Sequence, residues 1–338
     1  MIQASIRKII QRQDLDETEM TAVMTEIMSG EATDAQIGAL MAALATKGET
    51  YSELAGAARA MRRKATRIQT SAETVVDTCG TGGDGAHTFN ISTTAAFVVA
   101  GCGITVAKHG NRAASSRCGS ADLLEAMEVR LDVAPEVVEE AIGAIGIGFL
   151  FAPLFHGAMR YAAKARKEVG ARSIFNMLGP LTNPAGANCQ VLGVYAPELT
   201  EMFAQALRLL GTRRAFVVHG HDRLDEITVC APTRVSELKD GLIRTYDVTP
   251  EQLLGRVAKP EDLAGGDPAT NAEISKRILA GEKGPKRDVV VVNAAAALIA
   301  AGVAGDFSEG IRKAEASIDS GAAAAKLAAL VRFTNENA

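Results

Sequence analysis

The 338-residue chain has no tryptophan, and its five cysteines, at 79, 102, 118, 189 and 230, are odd in number and nowhere form a C-x-x-C pair. That spacing indicates neither a zinc site nor a disulfide framework, and reduced thiols in a cytoplasmic protein fit it best. No apolar run approaches the length of a membrane span. No apolar core follows the charges of the N-terminal Met1-Ile-Gln-Ala-Ser-Ile-Arg-Lys8, so no signal peptide is expected. An excess of positive charge is missing too. The formal net charge is −4, whereas a general nucleic-acid binder carries a basic surface. Neither a membrane nor a nucleic acid is therefore expected as a partner. Aliphatic residues and alanine are plentiful: at 47% hydrophobic, the chain can bury a sizeable core in two domains, or in one large domain with an appendage.

The N-terminal stretch, residues 1–67, reads as a set of short helices. Asp16-Glu-Thr-Glu19, Thr33-Asp-Ala-Gln36 and Thr50-Tyr-Ser-Glu53 each have the spacing of a capping box, and Gly30 and Gly48 supply stops. Met20, Met24 and Met28 form an i, i+4, i+8 stripe, which belongs to a core or an interface. A polar linker, Thr66 to Glu73, follows. From Val75 strands alternate with helices. Candidate strands are Ile104–Ala107, Ile147–Phe151, Val191–Tyr195, Ala215–Val218 and Ile227–Cys230. Asp240-Gly241 reads as the turn of a late hairpin, and Asn271 to about Phe333 as helical. The expected fold is α/β: a small N-terminal all-helical domain (1–70) and a large α/β domain (71–338) with a mainly parallel central sheet flanked by helices. Helix His156 to Val169 interrupts the alternation. It carries Arg160, Lys164, Arg166 and Lys167 and leads into a rigid loop, Asn176 to Pro184.

The chemistry concentrates at residues 76–93, where an apolar strand end runs into Gly80-Thr-Gly-Gly-Asp-Gly85 and then into a helix opening at Asn90-Ile-Ser-Thr93. Strand, glycine loop and helix N-terminus together can hold a phosphate: the backbone comes close, and free N–H groups face the anion. The letters fit G-x-G-x-x-G, but the acid a dinucleotide site needs some 20 residues on is replaced by Lys108-His109-Gly110. No Lys-Ser/Thr closes the run, which rules out a Walker-type loop. A second polar loop, Lys108 to Ser116 with Ser120, again lies between strand and helix and offers cations and hydroxyls. Loops at the carboxyl ends of neighbouring parallel strands meet in one crevice, so two such loops point to a ligand with two phosphate groups. Beyond another strand stand Asp225 and Glu226. Mg2+ takes one or two carboxylates and leaves room for water and phosphate, so the pair reads equally as such a site or as an exposed acidic loop.

These blocks together resemble the anthranilate phosphoribosyltransferase family of tryptophan biosynthesis. The match runs through DTCGTGGDG (77–85), NIST (90–93), KHGNRAASS (108–116), GSADLLE (119–125), FAPLFHGAMR (151–160), RSIFNMLGPLTNP (172–184), LDEIT (224–228) and VNAAAALIAAG (292–302). The resemblance implies transfer of phosphoribose from phosphoribosyl pyrophosphate (PRPP) to the amino group of anthranilate. It implies a PRPP site at Gly80, Gly83, Asp84, Thr88, Asn90, Ile91, Ser92, Thr93, Lys108, His109, Gly110, Asn111, Arg112, Ala113, Ala114, Ser115, Ser116 and Ser120. Anthranilate would meet Gly80, Asn111 and Arg166. Ser92, Asp225 and Glu226 would serve Mg2+, two ions per subunit, and no residue is assigned as a general acid or base. The resemblance also implies that the 156–184 segment packs on the helical domain, and that a homodimer forms through that domain. Three positions depart from the family pattern: Gly157 for proline, Arg223 for glycine and Arg117 for lysine. A pyrimidine nucleoside phosphorylase of the same fold, or a non-catalytic nucleic-acid-binding relative, is the alternative.

Overall fold

The computed structural model describes residues 1–113 and 116–338. Four helices open the chain: α1 (Ile2–Ile10), α2 (Glu17–Met28), α3 (Asp34–Lys47) and α4 (Tyr51–Lys64). Each expected capping box forms, with Asp16, Thr33 and Thr50 accepting from the backbone of Glu19, Gln36 and Glu53. Such a cap is worth about 1 kcal/mol. Glu53 does more than cap. Fully buried, it also accepts from Leu15 N at 3.0 Å and from Lys47 Nζ at 3.1 Å, tying the α1–α2 connection, the end of α3 and the start of α4 at one carboxylate. The methionine stripe is core: Met20, Met24 and Met28 are buried inside the subunit, so the methionines themselves present no surface to a partner.

Residues 65–74 have no regular structure. Beyond them lies a seven-stranded sheet of order β3-β2-β1-β4-β5-β6-β7. The strands are β1 (Val75–Gly80), β2 (Thr105–Gly110), β3 (Ile147–Phe151), β4 (Cys189–Gly193), β5 (Arg214–Gly220), β6 (Thr233–Lys239) and β7 (Leu242–Val248). The first five are parallel; β6 and β7 are antiparallel and form the hairpin turned by Asp240-Gly241. The expected strand at Ile227–Cys230 is absent. Its backbone is satisfied elsewhere: the Asn293 side chain donates to Ile227 O and accepts from Ile227 N, and Thr228 N donates to Thr233 Oγ1. With those groups occupied, no ladder can form there.

Alternation along the strands divides the core. Val76, Val106, Phe149, Val191 and Phe216 pack with α5 (Ile91–Gly101) and the long helix Pro285–Ala300. Leu192, Val194, Ala215 and Val217 face the other way and share one hydrophobic cluster with α2, α3, α4 and the helix Leu199–Leu209. The helical bundle is thus fused to one face of the sheet, and the apolar surface it could not bury alone is covered there. The expected basic helix begins later than the sequence indicates. A 3-10 turn, Gly157–Met159, precedes an α-helix over Arg160–Val169. It lies on α3, with Lys164 bonded to Asp34 at 2.8 Å and Tyr161 against Gly30. Among the described residues, no helix is long and apolar enough to cross a membrane.

Candidate active site

The sheet order places a topological switch between β1 and β4: the chain leaves β1 toward β2 and returns on its other side as β4. Loops beyond the carboxyl ends of strands at such a point diverge and leave a crevice. A cleft of about 390 Å³ occupies it. Its walls include Gly80, Gly83, Asn90, Ser92 and Thr93 of the glycine loop and the start of α5, and Lys108, His109, Gly110, Asn111, Arg112, Ala113, Ser116 and Ser120 of the second loop. Arg166, Asp225 and Glu226 also line it. The two loops, the basic helix and the acid pair, far apart in sequence, therefore meet as expected. Asp84, Thr88 and Ile91 stand off the wall. Asp84 lies against Asp225, Thr88 makes a backbone bridge to Ala264, and Ile91 is core. Ala114 and Ser115 lie outside the described residues.

The acid pair is seated by glycines that carry normal backbone angles. Gly80 and Gly193 face each other across β1 and β4. A Cβ on Gly193 would sit 1.5 Å from the carbonyl oxygen of Asp225, and one on Gly80 would sit 2.7 Å from Asp225 Oδ2. Gly82 N donates to Asp225 Oδ2 at 3.0 Å, and Ser92 N, in the first turn of α5, donates to Glu226 Oε1 at 3.1 Å. Glu226 thereby takes the capping position that Asn90 leaves open. The Asn90 amide instead donates to Cys118 O at 3.1 Å and accepts from Asn271 at 3.0 Å, tying both loops together. Burial, reinforced by the Asp84 charge, pushes Asp225 up to about 7. Burial and then the Asp225 charge push Glu226 up to about 8.

Lys108 and His109 show what strand alternation does to adjacent residues. Lys108 points toward α5. Its buried ammonium donates to Thr78 O and lies 3.5 Å from Ser92 Oγ. Burial lowers its pKa, and Asp77, Cys79 and Glu226 oppose the shift. His109 points the opposite way, with Nδ1 3.1 Å from Gly179 O and its ring 5.0 Å from that of His156. Burial pushes it down to about 3, so it is neutral at neutral pH. Its buried Nε2 has no partner among the described residues.

Along the basic helix the cations have different fates. Lys164 is paired, and Arg160 stacks on Tyr161. Arg166 turns into the cleft, half-buried over the Phe175 ring at 5.5 Å, with burial alone lowering its pKa and no carboxylate among the described residues to meet it. Arg112 is spent on Glu125 and Asp122. Sequence reasoning passed over Thr81, Arg172, Phe175, Asn176, Pro180 and Tyr195, all of which line the cleft. Four of them stand in the block 172–184, where proline and glycine marked a rigid turn but no residue signalled a ligand.

Arg223, beside the acids, adopts φ +78°. This is the left-handed region, which costs a side chain about 1 kcal/mol that glycine avoids. Arg223→Gly is expected to raise the midpoint of thermal unfolding by a few degrees at most, as read by calorimetry. A lowered midpoint would show that the arginine makes a compensating contact.

The result is a two-ended cleft. One end offers backbone N–H groups, a helix N-terminus, a buried ammonium and an acid pair; the other offers a guanidinium with no carboxylate partner among the described residues, and an aromatic ring. Two family models, together spanning most of the chain, give the class: a glycosyl transferase. The family model described as "Glycosyl transferase family, helical bundle domain" matches residues 3–65, and "Glycosyl transferase family, a/b domain" matches 72–324. The chain is 77% identical to the anthranilate phosphoribosyltransferase of Syntrophobacter fumaroxidans, covering all of both chains, and 68% identical to that of Desulfatibacillum aliphaticivorans, again over both full lengths. The solved anthranilate phosphoribosyltransferase of Thermus thermophilus superposes with TM-score 0.92 at 45% identity, covering 98% of this chain and 99% of the other. That of Saccharomyces cerevisiae, in complex with PRPP and Mg, superposes with TM-score 0.90 at 28% identity, covering 99% and 98%. This chain belongs to the anthranilate phosphoribosyltransferase family.

Proposed function

We infer that the protein transfers the phosphoribosyl group of PRPP to the amino group of anthranilate, giving phosphoribosylanthranilate and pyrophosphate, a step of tryptophan biosynthesis. The carrying observation is the 77% identity, end to end, to an enzyme of that activity. In the reaction the anthranilate nitrogen bonds to C1′ of the ribose, the bond from C1′ to the pyrophosphate oxygen breaks, and one N–H proton is released. An aniline-type nitrogen is already unprotonated at neutral pH. The protein's task is therefore to position two substrates and to meet the charge of the departing pyrophosphate.

In this reading the glycine loop, the start of α5, Lys108 and the second loop hold PRPP. The Lys108 ammonium, fixed by Thr78 and Ser92, gives that end a positive charge that needs no reorganisation. Arg166 pairs with the anthranilate carboxylate, and Phe175 flanks the ring. Neutral His109 adds no charge beside the cationic sugar. A need for Mg2+ extends to this chain from the yeast relative, with two ions per subunit as the fuller proposal. The donor set fits. Two adjacent carboxylates, raised by burial and repulsion, gain from a divalent cation, and hydroxyl Ser92 lies beside them. Among the described residues no group of three or more His, Cys, Asp or Glu is placed to cage a metal, which suits an ion carried largely by water and phosphate. When bound, Mg2+ supplies positive charge to the leaving pyrophosphate. The phosphorylase and nucleic-acid alternatives find no support among the relatives.

The test is fluorescence-detected formation of phosphoribosylanthranilate from PRPP and anthranilate, with and without Mg2+. No product under either condition would overturn the assignment. A homodimer through the helical domain is a further part of the proposal. With the methionines buried, the outer faces of α1 and α3 are the surface concerned, where Ile10 is 67% exposed beside a groove lined by Ala39, Ala42 and Ala43. Sedimentation at working concentration is expected to give a dimer, and Ile10→Asp to weaken it. A wild-type monomer contradicts the proposal.

A further inference from the structure

Six residues beyond Arg166, the same segment sends a second guanidinium to the cleft. Arg172 lies with its Cζ 3.7 Å from the centroid of the Tyr195 ring, and its Nη2 donates to Gly83 O at 3.1 Å. No carboxylate among the described residues pairs with it. Its two contacts belong to different parts of the fold. Gly83 is in the glycine loop after β1, and Tyr195 follows β4 on the other side of the switch point. Arg172 itself follows the helix that packs on α3. The glycine loop is otherwise held on either side of Gly83, by Gly82 N on Asp225 Oδ2 at 3.0 Å and by Asp84 against Asp225 N at 3.5 Å. Gly82, Gly83 and Gly85 all adopt φ between +65° and +78°, and a chain of glycines is the most freely mobile backbone available. Tyr195 is in turn fixed to the loop's root, its N–H donating to Thr81 Oγ1 at 3.2 Å while Thr81 N donates to Gly193 O at 2.9 Å. There is no room for a side chain under the clasp: a Cβ on Gly83 would lie 2.3 Å from Arg172 Nη2.

We propose that Arg172 is a positioning residue for PRPP: stacked on Tyr195, it grips the Gly83 carbonyl and so fixes the glycine loop with its N–H groups available to the diphosphate. A peptide whose C=O is held by a cation on one side presents its orientation ready-made, and the ligand need not pay to order it. The inference rests on the proposed PRPP site. It assigns to one short segment two arginines with opposite kinetic signatures, Arg166 for the aromatic substrate and Arg172 for the phosphorylated one.

The experiment has two readouts on Arg172→Ala, Arg172→Lys and Tyr195→Leu. The first is amide hydrogen exchange in the substrate-free protein. The loop amides that have acceptors, Thr81, Gly82 and Ala86, are expected to exchange about 10-fold faster in Arg172→Ala, the scale of one lost hydrogen bond to a charged group, with α1–α4 unchanged. The second is steady-state kinetics. The KM for PRPP is expected to rise about 10-fold while the KM for anthranilate moves less than about 2-fold. Arg172→Lys keeps the charge but cannot both stack and reach the carbonyl with a planar fork, so it should resemble Arg172→Ala. Tyr195→Leu should shift both readouts the same way by a smaller factor. Unchanged exchange in Arg172→Ala overturns the clasp. Faster exchange with an unmoved KM for PRPP overturns its role in positioning, and full rescue by lysine shows that Arg172 acts by charge on the phosphate instead. A wild type that fails to use PRPP refutes the proposed function, a result the exchange measurement cannot mimic because it needs no substrate.

Discussion

The double variant Asp225→Asn, Glu226→Gln is expected to lose activity by about 100-fold or more, the scale seen when a fixed charge-stabilising group is removed from a reaction centre. It should also need more Mg2+ for what activity remains. Both substitutions keep shape and remove charge, so the seat made by Gly80 and Gly193 is undisturbed. Wild-type turnover with an unchanged Mg2+ dependence would refute the metal assignment. The same variant exposes a linkage to pH. The folded protein raises both carboxyl groups, to about 7 and about 8, above the range near 4 usual in an unfolded chain. Between those limits the folded state binds more protons than the unfolded one, so the pair's contribution to stability is present below about pH 4 and is lost as pH rises through about 8. In a chelator, wild type should therefore lose thermal stability relative to the double variant from pH 5 to pH 8. Added Mg2+ should reduce that loss. A difference between the two proteins that stays flat with pH would show that the acids are not raised.

Arg166→Ala should raise the KM for anthranilate by about 10- to 100-fold, since a charge-assisted hydrogen bond contributes roughly 1.5–3 kcal/mol. The KM for PRPP should stay nearly constant, because the groups proposed for its two phosphates lie on other loops. The structure sharpens the choice of this arginine. Of the four cations named on the helix, Arg166 is the one that lines the cleft. Lys164 is bonded to Asp34, and Arg160 lies on its neighbour's ring. If both constants are unmoved, Arg166 belongs to a solvated face. If only the PRPP constant moves, the division of the cleft into two ends is wrong.

What the sequence determined by itself is local and periodic. The three capping boxes, the hairpin at Asp240-Gly241, the glycine loop between strand and helix, and the helical C-terminal stretch are all written in neighbouring residues, because caps, turns and alternation act over a few positions. The family, too, was legible from its ordered blocks. Tertiary structure decided whatever depends on contacts between distant residues. Ile227–Cys230 has the letters of a strand, yet the amide of Asn293, 66 residues away, takes its backbone and leaves it a loop. The methionine stripe could have been core or interface, and only the packing of α2 on α4 made it core. Gly193 has ordinary angles and no motif to announce it; its role appears only when Asp225 arrives against it from the loop after β5. Arg172 likewise looked like any surface cation until the fold set Gly83 and Tyr195 within its reach. Short-range order is fixed by propensities that residues carry with them, whereas close approach across a cleft is a property of the assembled chain.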